Sequence, residues 1–181
     1  EEIRLNKKGS VVISGIQDEN YQNLILLINE KLSSNSFNPS KTILTRDGKD
    51  EDVLQLISDM NQGKVGALIM CGVNPAYTLS NSEEFIKSLK SLEMSICFSM
   101  KNDETANHSK YVAASNHYLE SWCDYELVSN EYSLAQPVIK TLFDTKQFQE
   151  LLLVWNENKT TIHDYIKNYW NEKLLGADSW N

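Results

Sequence analysis

Residues 67–78 read Ala67-Leu68-Ile69-Met70-Cys71-Gly72-Val73-Asn74-Pro75-Ala76-Tyr77-Thr78, and the fold turns on how this stretch is read. An apolar run ends abruptly in Gly-Val-Asn-Pro. That pattern predicts a buried strand feeding a tight loop. Gly72 reaches backbone angles closed to other residues and lets another group approach the main chain closely. Pro75 drives Asn74 away from helical angles and so holds its side chain in an extended loop. In an open α/β sheet such a loop lies at the carboxyl ends of the strands, where ligands bind. A plain strand-to-helix turn satisfies the same spacing, so the pattern alone leaves both readings open.

Upstream, Val11-Val12-Ile13-Ser14-Gly15 predicts a first strand with its ligand-side loop. Tyr21, Leu24, Ile25, Ile28 and Leu32 fall at helical spacing, with Asp18 or Asn20 as cap and Ser33-Ser34-Asn35-Ser36 as the end. The pair is a βα unit without a full G-x-G-x-x-G fingerprint, so it implies no nicotinamide cofactor. Lys41-Thr42-Ile43-Leu44 predicts a short second strand and Arg46-Asp47-Gly48-Lys49-Asp50 a polar loop. Val53, Leu56, Ile57 and Met60 mark a second helix, with Asp50, Glu51 and Asp52 at its positive end and Asn61-Gln62-Gly63 closing it.

Downstream, Asn81-Ser82-Glu83-Glu84 starts a helix whose inward face is Phe85, Ile86 and Leu89. Met94-Ser95-Ile96-Cys97-Phe98 is the fourth strand, 100–105 a ligand-side loop, and Tyr111-Val112-Ala113-Ala114 a short fifth strand. The alternation predicts an α/β fold: a mainly parallel, doubly wound, Rossmann-like sheet with helices on both faces. Residues 115–145 lack a clean period and contain Pro137, which predicts a long ordered loop with short pieces of strand or helix. Phe148, Leu151, Leu152 and Trp155 form a helix face. Thr161 caps a last helix with Ile162, Tyr165, Ile166 and Tyr169 inward, and Gly176 marks its end.

With 181 residues, 41% hydrophobic and 23% charged, the chain has the profile of one folded domain. That domain is expected over 1–181, with an α/β core at 1–114 and a loop-and-helix extension at 115–181. No apolar run nears the ~18 residues of a membrane helix, so no direct membrane insertion is expected. Glu1-Glu2-Ile3-Arg4 is not a signal peptide, and the chain reads as a piece of a longer protein or a mature form. A net charge of −8 argues against nucleic acid and against anionic membrane surfaces, while basic partners are tolerated. Cys71, Cys97 and Cys123 have no C-x-x-C spacing and assemble no iron–sulfur cluster. Cys71 and Cys97 sit in strand contexts and are expected to be buried, inert thiols.

Three blocks carry a resemblance: CGVNPAYTL at 71–79, DETANHSKYVAASNHYLESWCDYE at 103–126, and SLAQPVIKTLFDT at 133–145. In order and spacing they resemble the molybdopterin oxidoreductase (dimethyl sulfoxide reductase) family. Within it the likeness is to the large iron–sulfur subunit of alternative complex III, a bacterial quinol-oxidising membrane complex. The family pattern is a Gly-x-Asn-Pro loop, a Glu-Thr-Ala loop, an Ala-Asp-hydrophobic-Leu-Pro segment and a Glu-containing turn. The alternative complex III branch carries "HYLESWGD" and "SLxQPxIxPLFDTR" there. This chain matches at His117-Tyr118-Leu119-Glu120-Ser121-Trp122, Asp124, Ser133-Leu134, Gln136-Pro137 and Leu142-Phe143-Asp144-Thr145. A weaker likeness runs over 8–35 and 150–175.

The resemblance implies that Gly72, Asn74, Glu104 and Thr105 stand where family members touch a molybdopterin guanine dinucleotide, with Gly15 as a weaker candidate. Such a contact needs main-chain N–H groups near phosphate and directed hydrogen bonds from Asn and Thr. Departures matter too. The Ala-Asp-hydrophobic-Leu-Pro segment is reduced to His108-Ser109-Lys110-Tyr111-Val112-Ala113-Ala114, without acid or proline, and the Gly of "ESWGD" is Cys123. The branch likeness therefore implies a domain without cofactor or catalytic residues of its own. It would be a vestigial or weak site in an oxidoreductase subunit of electron transport, beside an iron–sulfur domain of the same subunit whose clusters lie elsewhere. Its other partners would be subunits of a membrane respiratory complex, contacted through 115–145, at the periplasmic face of the bacterial inner membrane. The rivals are a working molybdopterin guanine dinucleotide half-site and a free-standing α/β small-molecule binder.

Two smaller constellations invite chemistry. His117 and Glu120 stand at i, i+3 but lack a third metal ligand, so a loop pinned by hydrogen bonds is the plainer reading. Ser121, His117 and Asp124 have the residue types of a catalytic triad, without a nucleophile elbow or oxyanion donors. Trp155, Tyr165, Tyr169 and Trp170 read as core or an interdomain face rather than an electron relay.

Overall fold

The computed structural model describes residues 2–45, 48–176 and 180. In chain order the helices are α1 (Glu2–Leu5), α2 (Glu19–Leu32), α3 (Asp50–Asn61), α4 (Pro75–Thr78), α5 (Ser82–Ser91), α6 (Glu104–His108), α7 (Phe148–Trp155) and α8 (Ile162–Lys173). The strands are β1 (Ala67–Cys71), β2 (Met94–Ser99), β3 (Tyr111–Ala114), β4 (Cys123–Val128) and β5 (Glu131–Ala135). The described residues fall into two compact units, one within Glu1–Asp47 and Glu126–Tyr132, the other within Gly48–Tyr125 and Ser133–Asn181. Arg46 and Asp47 of the expected polar loop, and Glu1, lie outside the described residues.

The larger unit is mixed α/β: a three-stranded parallel sheet in the order β1-β2-β3, flanked by helices. Side chains alternate between the faces of a strand. Met70 and Cys97 point to the face where Ile57 and Met60 of α3 meet Phe85 and Leu89 of α5. Leu89 and Cys97 are fully buried there. Phe98 takes the opposite face and is closed over by Phe148, 4.9 Å away, and Trp155, 6.1 Å away, both from α7. Among the described residues, β2 is the only partner of β1 and of β3, so both are edge strands.

Helix ends follow local chemistry. α3 begins with Asp50, Glu51 and Asp52 at its positive end and closes as Gly63, at φ 70°, donates to Met60 O. Thr161 caps α8 by accepting from Asp164 N–H, and Asp18 caps α2 by accepting from Asn20 and Tyr21 N–H. Ser82 starts α5, but the side chain of Asn81 does not cap it.

Three expectations are corrected. Residues 11–15 form no strand, because side chains of α2 have taken the backbone groups a neighbouring strand would use. Asn29, 4% exposed, accepts from Val12 N–H at 2.7 Å and donates to Val12 O at 2.8 Å. Gln22 donates to Ser14 O and Ile16 O. The second strand shrinks to a single antiparallel bridge, Ile43 to Val128, because the 123–135 stretch folds into a β4–β5 hairpin whose tip claims it. Cys71 is exposed, since it lies at an edge strand on the face opposite Met70, while Cys97 is buried as expected.

Candidate functional site

The chain leaves β1 through Gly72, whose φ of 64° lies in the left-handed region that favours glycine. Its N–H donates to Phe98 O at 3.1 Å, and a Cβ there would meet nothing within 4 Å. Gly72 is thus required by the turn, not by a close neighbour within the chain. Asn74 follows at φ −126° and ψ 65°, the non-helical setting expected before proline. Pro75 then opens α4, a short helical turn.

The loop after β2, expected over 100–105, gives way to α6 at Glu104. Asp103 accepts from Ala106 N–H at 2.9 Å and from the Ser99 hydroxyl at 3.0 Å, which fixes where the helix starts. That start brings Glu104 and Thr105 to Asn74. The Asn74 amide donates to Glu104 Oε2 at 2.7 Å. Its Oδ1 accepts from Thr105 N–H at 3.2 Å and Thr105 Oγ1 at 2.7 Å. Thr105 Oγ1 accepts in turn from Ala76 N–H at 3.0 Å, and Thr105 is fully buried. The two loops are joined in a closed exchange with Asn74 at its centre. Gly15 stands apart from this exchange, in the extended stretch before α2, and a Cβ there would meet nothing within 4 Å.

The Asn74 amide holds the Glu104 carboxyl below the usual glutamate range, helped by a backbone hydrogen bond. A carboxyl depressed in the folded state stabilises above its unfolded pKa and loses that contribution as pH falls through the folded one. We expect an NMR titration of Glu104 to give a midpoint below that of free glutamate, and Asn74→Ala to move it back up. An unchanged midpoint in the variant would assign the depression to another group. Cys97 is pushed the other way, first by burial and then by the Asp103 carboxylate.

Around these loops a cleft of about 870 Å³ opens at the carboxyl ends of the strands. Gly72, Val73, Met100 and Lys101 line it, as do Ser115, Asn116 and Gln147. Ser115 Oγ and Asn116 Oδ1 are buried without a hydrogen-bond partner among the described residues. Sequence patterns did not single out these two oxygens, Asp103 or Gln147. Gln147 had a detectable signal: it stands three residues before Glu150 at the start of an apolar face, and it caps α7 reciprocally with that residue.

The His117–Asp124 block is a pinned loop. Glu120 accepts from His117 N–H at 2.9 Å and Leu142 N–H at 3.1 Å, while Leu119 O accepts from Val138 and Ile139 N–H. His117 Nδ1 accepts from Leu119 N–H at 3.3 Å. Ser121 Oγ donates to His117 O, and Asp124 accepts from the Trp170 indole, so the three residue types of a triad do not converge. Among the described residues no three His, Cys, Asp or Glu side chains gather as a metal site, and no helix is long and apolar enough to cross a membrane. No protein-family model matches the chain, and no curated protein matches it.

Proposed function

We propose that the chain is a molybdopterin-oxidoreductase-like α/β module acting as a non-catalytic scaffold in a respiratory, quinol-oxidising electron-transfer complex. On this reading its sheet is the nucleus of a mainly parallel, doubly wound, Rossmann-like arrangement with helices on both faces. The unpaired outer edge of β1 among the described residues and the contact of α7 with Phe98 support that arrangement.

The observation that carries the reading is the exchange among Asn74, Glu104 and Thr105. A loop that holds a guanine dinucleotide keeps amide and hydroxyl groups for it. Here those groups bind one another and Ala76 N–H, which supports a role in joining the two loops. Partner contact is supported by the 133–145 stretch. Its backbone is tied to Glu120 and Leu119, while Val138, Leu142 and Phe143 stay about 70% exposed or more (73%, 69% and 76%). Exposed apolar side chains on a fixed backbone suit docking onto a neighbouring iron–sulfur domain or subunit at the periplasmic membrane face.

A second reading, a retained guanine dinucleotide half-site, is favoured by the cleft and by the unpartnered oxygens of Ser115 and Asn116. The experiment is metal analysis and pterin extraction on the intact subunit purified from its membrane. The scaffold reading expects no molybdenum or pterin, together with co-purifying cytochromes and quinol oxidation. Stoichiometric molybdopterin would replace it with the second reading.

A further inference from the structure

Away from these loops, a groove of about 450 Å³ lies between α7, α8 and the start of β4. Its volume is that of a small-molecule pocket. The floor is apolar: Leu152 and Leu153 from α7, with Ile162 and Ile166, 8% and 5% exposed, from α8. Trp122, Tyr125 and Tyr165 supply aromatic rings to it. Trp122 is a fixed wall, since His163 packs on it at 4.7 Å and Trp180 at 6.3 Å.

Among the residues lining the groove, Asp124 alone is charged at neutral pH. Its Oδ2 accepts from the Trp170 indole at 2.9 Å, and its Oδ1 has no hydrogen-bond partner among the described residues. Aromatic rings present a negative face, and a carboxylate without a cation beside it adds to the same field. The excess of acid over base in the whole chain, 25 against 17, has the same sign. A ligand matching this lining has an apolar body and a positively charged head.

We propose that this groove binds a small organic amine in its protonated form, its body against Leu152 and Ile166, its ammonium between Trp122, Tyr165 and Asp124 Oδ1. The test titrates the full chain with phenethylamine, phenethyl alcohol and hydrocinnamate, which share a body and differ in charge. Ligand-induced shifts of the Trp122 indole signal are followed by NMR. The amine should bind at least about tenfold more tightly than the alcohol, and hydrocinnamate more weakly than either. Asp124→Asn keeps an acceptor for Trp170 and should lower amine affinity about tenfold while leaving the alcohol unchanged. Tyr165→Leu, in α8, should weaken the amine selectively as well. Equal binding of amine and alcohol, no binding of the amine, or full amine affinity in Asp124→Asn would each overturn the proposal. A thermal unfolding midpoint for each variant identifies any loss that comes from misfolding, and Tyr165→Leu decides the matter if Asp124→Asn fails to fold.

Discussion

Phe98→Ala should lower the unfolding free energy by about 3–5 kcal/mol, the range for removing a buried aromatic side chain. Phe98 is 1% exposed and belongs to the central strand of the parallel sheet. Its ring meets Phe148 and Trp155 edge-on, so the substitution empties the contact by which α7 lies on that face. The transfer loss and the cavity both contribute, because neighbours on a hydrogen-bonded strand collapse only partly. Denaturant unfolding measures the total, and hydrogen exchange locates it. Amides of α7 should lose protection first, ahead of those of β1 and β2. Phe98→Leu, which keeps most of the volume, should cost about 1–2 kcal/mol. A cost below ~1 kcal/mol for Phe98→Ala would mean that α7 does not rest on the sheet.

Thr105→Val is the second large effect, expected at about 2–4 kcal/mol although it nearly preserves shape. The hydroxyl accepts from Ala76 N–H and donates to Asn74 Oδ1 in a fully buried setting. Valine leaves the Ala76 N–H without an acceptor, and a buried unsatisfied group costs about 1–3 kcal/mol. Asn74 Oδ1 loses one of its two donors in the same step. Thr105→Ser separates the causes: it keeps the hydroxyl, loses one methyl and should cost about 1 kcal/mol. Chemical denaturation of both variants provides the comparison. If valine and serine cost the same, the exchange between the loops contributes little and the scaffold reading loses its support.

The parts of this fold legible in the sequence are those where apolar period and end signals coincide. Val53, Leu56, Ile57 and Met60 are spaced as one face of a helix, and α3 spans them. Met94 to Phe98 and Tyr111 to Ala114 became β2 and β3 for the same reason: short apolar runs bounded by polar turns. The meeting of Asn74 with Glu104 and Thr105 was legible only through motif order. Nothing in local spacing joins residues about thirty apart.

What stayed hidden depends on polar side chains acting at a distance. Val11 to Gly15 has strand composition, but the carboxamides of Asn29 and Gln22 satisfy its backbone from α2. A periodicity that registers only apolar positions does not see that competition. Cys71 escaped for a related reason. Its local context is that of a core strand, and its exposure is set by the sheet's having no strand beyond β1 among the described residues. The helical start at Glu104 rests on the carboxylate of Asp103, a single side chain in a stretch of loop composition.

The outer side of β1 presents a row of main-chain donors and acceptors with no strand against it among the described residues. Ala67-Leu68-Ile69-Met70-Cys71 contains no lysine, no proline and no inward charge, the usual gatekeepers at such positions. A second copy of the same run offers matching main-chain donors and acceptors for adding to it. An element laid along this edge would therefore also guard against fibre growth. At high concentration, folded molecules with this edge uncovered are expected to associate strand to strand.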